Sequence, residues 1–154
     1  MSRRQPSTDS PLTESLTATV TTVLDNVRRE LQKAGAAARD TAPSIHDRYE
    51  FESGEPDLGY LSELVAELMN GIAAKLVVAS VLRARSLAVS RAIEEQRRRL
   101  RQAQAVLRSM AHFLRTQQAP HLLAFVSSLT ATCESALTAL DPMALGLPTS
   151  TPKL

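Results

Sequence analysis

Tryptophan is missing from this chain, and aromatic residues make up only 3% of its 154 positions. Enclosed catalytic pockets and base-stacking surfaces usually draw on more rings than that. Glycine is scarce, with five residues, and no glycine-rich phosphate loop can be assembled from them. A single cysteine, Cys133, excludes an internal disulfide and implies no metal site. A long uninterrupted apolar run is also lacking. The nearest approach, GIAAKLVVASVLRARSLAV over 71–89, is broken by Lys75, Arg83 and Arg85, so it fails as a membrane span. The opening MSRRQPSTDSPLTES has acids and two prolines where a secretory or mitochondrial leader needs an apolar or acid-free stretch. A reducing compartment is expected, the cytoplasm ahead of the nucleus. The arginines are spread along a helix and not packed as a lysine-rich import patch.

What is present favours helices. Ala, Leu, Arg, Gln and Glu are plentiful, and all are good helix formers. Hydrophobic residues are 44% and charged residues 22%, an ordinary balance for a folded domain. The net charge of +2 implies no polyanionic partner by itself, but the charge is unevenly distributed. Residues 40–67 carry eight acids against one base, Arg48, whereas 83–118 carry nine arginines against two acids. The chain is therefore a dipole along its length.

The expected class is all-α, an elongated bundle or coiled coil with one long central helix and two shorter amphipathic ones. Residues 1–9 read as a polar tail. A single helical domain is expected over 10–140. Ser10 caps the first helix, 10–39, and Pro11 suits its first position. Leu12, Leu16, Val20, Val23, Leu24, Val27 and Leu31 form its stripe. Gly35 weakens its end and Pro43 stops it. A connector follows over 40–56, tacked down by Ile45, Tyr49 and Phe51, or else offered as an acidic, ring-bearing peptide to a partner.

The strongest pattern covers 57–118. With Leu58 at heptad position a, the a set is Leu58, Val65, Ile72, Ala79, Ser86, Ile93, Leu100, Leu107 and Leu114. The d set is Leu61, Leu68, Lys75, Leu82, Val89, Gln96, Ala103, Met110 and Gln117. Fourteen of these eighteen are apolar and the register never slips, which predicts one long helix with a coiled-coil seam. The alternative is a hairpin or break near Gly71 or around Ser86. KLVVASVL, 75–82, is apolar on nearly every side, so it is expected to be enclosed by several helices. Pro120 starts a last helix, 120–140, striped by Leu122, Val126, Leu129, Cys133, Leu137 and Leu140. Residues 141–154 read as a loose tail.

No catalytic group emerges. His46, His112 and His121 sit in different elements without ligand-spaced partners, and Cys133 lies on an apolar stripe. No enzyme and no cofactor are expected. The chemistry that remains is surface recognition. In EEQRRRLRQAQAVLRSM, 94–110, Arg97 and Arg99 flank the seam, where coiled coils select partners by charge. Arg101, Arg108 and Arg115 recur every seven residues opposite it. The sequence therefore predicts a non-catalytic scaffold or adaptor subunit of a larger complex. Its partners would be other helical subunits, or copies of itself, meeting the seam. The a and d residues would form the partner-binding surface, with Gln96 and Lys75 as polar register markers. The alternative is a self-contained bundle whose basic face (Arg97, Arg99, Arg101, Arg108, Arg115) binds an acidic protein surface. Nucleic acid and anionic membrane come behind that, because no aromatic residues interleave the arginines.

Overall fold

A computed structural model describes residues 14–48, 58–81, 86–116 and 120–147. These form four helices, α1 (Glu14–Arg48), α2 (Leu58–Val81), α3 (Ser86–Arg115) and α4 (Pro120–Ala139). No strand occurs among the described residues. Each helix packs on its neighbours in chain order, and α1 also meets α4, so the four close into a ring. The α1–α2 contact is the most extensive and α1–α4 the thinnest. Neighbours run antiparallel. Ser62, near the start of α2, bonds Ala38 in the later part of α1. Gln104 of α3 bonds Glu134 of α4. This is an up-down-up-down bundle with short connections.

The single long helix is not what forms. α2 and α3 are separated by residues 82–85 and pack side by side, so the chain reverses there, at the break the heptad reading placed around Ser86. The physical reason lies in α2. Leu58, Val65, Ala66, Met69, Ile72, Ala73 and Leu76 are all buried, an arc too broad for one seam. Folding back gives α2 two apolar neighbours in place of one. The buried arc is also rotated from the heptad seam. Leu61 and Leu68 are only half-buried and Lys75 is exposed, so Lys75 marks no core register. Leu82 and Gln117 lie outside the described residues.

The first helix is longer than its sequence signals. It runs through Pro43 to Arg48, taking in much of the expected connector. An interior proline costs about 3 kcal/mol. Packing offsets it: Ala34 and Ala38 are buried against the bundle. The Thr41 hydroxyl donates to the Ala37 carbonyl at 2.7 Å. Tertiary contact overrides local propensity here. The expected start at Ser10 and the anchors Tyr49 and Phe51 lie outside the described residues. Gly35 is no weak end but a close approach. A Cβ there would stand 2.6 Å from Asn70 Oδ1 and 3.4 Å from the Ala66 carbonyl oxygen.

Of the expected stripe on the last helix, Leu122, Val126, Leu129, Cys133 and Leu140 are buried, whereas Leu137 is only half-buried and Ala136 beside it is buried. The helix is also long and apolar enough to cross a membrane by length and composition. Its outward positions carry Ser127, Ser128, Glu134 and Ser135. Beyond it, 141–147 is not a loose tail. Asp141 Oδ1 accepts the Met143 N–H at 3.2 Å, as an N-cap does. Pro142 takes the first position of a single turn. Gly146, at φ 72°, ends the turn. Its N–H bonds the Met143 carbonyl at 3.1 Å and the Leu147 N–H bonds the Pro142 carbonyl at 2.8 Å, the paired bonds of a Schellman cap. The turn delivers Leu145 and Leu147 into the core.

Candidate interaction surface

α3 divides cleanly into a core face and an outer face. On the core face, Val89, Ile93, Leu100, Ala103, Leu107, Met110 and Leu114 are buried, each at most 2% exposed. These residues were expected to meet another chain. They meet the chain's own α2 and α4 instead, because the reversal between α2 and α3 encloses the seam. In α2 the same holds for Leu58, Val65 and Ile72. Gln96 is buried with them, and its Oε1 has no hydrogen-bond partner among the described residues. It therefore carries an unmet desolvation cost inside a single chain.

The arginines take the other side. Arg101, Arg108 and Arg115 are exposed, as their heptad positions require. At about 1.5 Å rise per residue the line spans roughly 21 Å. None of the three has an ion pair among the described residues. Glu95 serves the other end of the helix, where it pairs with Arg98 at 2.6 Å and Arg99 at 3.6 Å. Arg97 and Arg99 are half-buried at the flanks of the seam, and Arg97 Nε is enclosed without a hydrogen-bond partner among the described residues. His112 is exposed on the same outer surface, between Arg108 and Arg115. The outer surface of α3 is thus cationic towards its C-terminal end, with its acids confined to the beginning.

Among the described residues no three His, Cys, Asp or Glu side chains come together to hold a metal ion. Cys133 is fully buried, and burial, reinforced by the neighbouring Glu134 carboxylate, pushes its thiol up to about 11. A thiol held neutral in apolar surroundings is a packing group. Two grooves open at the helix seams. One, of about 390 Å³, lies where α1 and α4 part, floored by Val27, Ala131, Ala136 and Ala139 with Glu30 at its edge. The other, of about 580 Å³, lies between the middle of α1 and the end of α2. It is bordered by Asp25, which is already paired with Arg28 and Arg29.

The sequence reading missed two features. One is the Asp141–Leu147 turn, whose signal was legible as an Asp-Pro start and a Gly end four residues later. The other is the small-residue approach of α1 on α2, for which a lone glycine in an alanine-rich helix is a weak sign. Compared with protein families, curated proteins and solved structures, this chain matches none.

Proposed function

We propose that this protein is a non-catalytic helical adaptor that docks on an acidic protein surface through the outer face of α3. The observation that carries this reading is the line Arg101, Arg108, Arg115, exposed and without ion pairs among the described residues, on a helix whose apolar face is already buried. The apolar face of α3 is enclosed by its own chain, so the outer charges are what that helix presents. Guanidinium groups repeating along about 21 Å of rigid helix suit carboxylates of similar spacing, such as a helix bearing glutamates every seven residues. No phenylalanine, tyrosine or tryptophan ring shares the exposed arginine line, since Phe113 packs against the core, and that favours carboxylates over stacked bases.

The test uses a fluorescent helical peptide with glutamates at heptad spacing, titrated with the full chain at low and high salt. Binding should weaken steeply with salt. It should vanish in Arg101→Glu/Arg108→Glu/Arg115→Glu while circular dichroism stays unchanged. A duplex oligonucleotide run in parallel decides the class of partner. If it binds and the peptide does not, the docking surface is a nucleic-acid surface and this reading fails.

A further inference from the structure

α2 holds a second surface that the ring leaves uncovered. Tyr60, Leu64, Glu67, Gly71 and Ala74 follow one another at spacings of four, three, four and three, the repeat of a helix-packing seam. They lie opposite the buried arc of Val65, Met69, Ile72 and Leu76. Tyr60 is 59% exposed, Glu67, Gly71 and Ala74 are exposed, and Leu64 is half-buried. At the centre stands Gly71, with nothing among the described residues within 4 Å of where its Cβ would be. The neighbouring Lys75 is exposed, and neither it nor Glu67 has an ion pair among the described residues.

We infer that this face of α2 pairs with the same face of a second copy, antiparallel and centred on Gly71. The charges choose both occupant and direction. Glu67 and Lys75 stand four residues either side of Gly71. A two-fold pairing about Gly71 sets Glu67 of each copy level with Lys75 of the other, twice over. A parallel pairing would set glutamate beside glutamate and lysine beside lysine. The missing side chain at Gly71 and the small one at Ala74 let the two helices approach closely, while Leu64 flanks the crossing. The interface is isologous, as two-fold dimers require. It leaves Arg101, Arg108 and Arg115 on another helix, so it stands or falls independently of the cationic docking surface. The dimer would carry that surface twice.

Sedimentation velocity of the full chain, from micromolar to several hundred micromolar, is the test. The expected result is a concentration-dependent shift from 16.7 kDa to twice that mass. Glu67→Lys should raise the dimer dissociation constant roughly tenfold, since two weak ion pairs become two repulsions. Lys75→Glu should do the same, and Glu67→Lys combined with Lys75→Glu should restore association. Gly71→Gln fills open space in the monomer, so it should raise the melting temperature yet abolish the dimer. A monomer throughout the range overturns the inference. So does a dimer indifferent to the single charge reversals, or one that the double reversal does not restore.

Discussion

Ser62 Oγ donates a 2.7 Å hydrogen bond to the Ala38 carbonyl, and both residues are fully buried. The bond pins the first turns of α2 to α1 at the closest interface in the bundle. A buried bond of this kind is worth about 1 kcal/mol net. Ser62→Ala should therefore lower the unfolding free energy in urea by about that amount, with the slope unchanged. Ser62→Val, which cannot donate and adds a methyl group at a tight contact, should cost more. A Ser62→Ala protein as stable as the parent would show that the bond contributes nothing.

Gly35 and Gly71 are both helical, and they should respond oppositely to alanine. Gly71 faces open space, so Gly71→Ala should gain up to about 1 kcal/mol from helix propensity alone, measured in dilute solution. At Gly35 the new methyl group would collide with Asn70 Oδ1 at 2.6 Å. Gly35→Ala should lose that gain and more, because Asn70 must swing away. In an Asn70→Ala background the same change should recover part of it. Thermal denaturation of the three variants reads out both signs.

The heptad pattern made the helical class and the α3 core face legible residue by residue: Ile93, Leu100, Leu107 and Leu114 are buried where the register placed them. It did not show how many helices there are. A register that continues unbroken from Leu58 to Leu114 is equally compatible with a rod and with a hairpin, because α2 and the four residues after it together fill 58–85, four whole heptads, so α3 begins in phase. The partition between Leu61 and Leu68, half-buried, and Ala66 and Met69, buried, depends on which neighbours α2 acquires after folding back. That is a tertiary fact with no local signature. The arginine line was legible because surface residues need only helical periodicity. Its partner was not, since recognition chemistry lies partly in another molecule.

Gln96 was expected to pair with another chain. It lies 3% exposed in its own core with Oε1 unpartnered. A buried amide oxygen without a donor costs about 1–3 kcal/mol. Gln96→Met keeps the volume and removes the polar atoms, so it should stabilise the bundle by about 1 kcal/mol without altering its mass in solution. A loss of stability would mean that the amide is satisfied after all.

Gly146 closes the Asp141–Leu147 turn at φ 72°, and a Cβ there would meet Leu16 Cδ1 at 3.3 Å. Gly146→Ala should cost about 1 kcal/mol from backbone strain, and Gly146→Val more. The loss should appear as easier proteolysis after Leu140, since Leu145 and Leu147 hold the turn against the core. Asp141→Ala, which removes the N-cap, should move in the same direction by about 1 kcal/mol. Cleavage unaffected by either change would show that the turn is held by burial of its leucines alone.

Cys133 gives the bundle an alkaline weakness whose sign can be worked out. In the unfolded chain the thiol ionises near 9.0, and in the fold burial holds it protonated to about 11. The folded state therefore binds the proton more tightly. Its contribution is fully present below pH 9 and is lost as pH rises towards 11, a change on the order of 2 kcal/mol. Cys133→Ala should lower stability at neutral pH by opening a small cavity, yet flatten the decline between pH 9 and 11. Urea titrations of both proteins across that window isolate the contribution of the thiol. Equal slopes would show that the buried thiol is not what weakens the fold. In the same window a disulfide reagent should label the native parent only as fast as the bundle opens, because the buried sulfur is out of the reagent's reach before that.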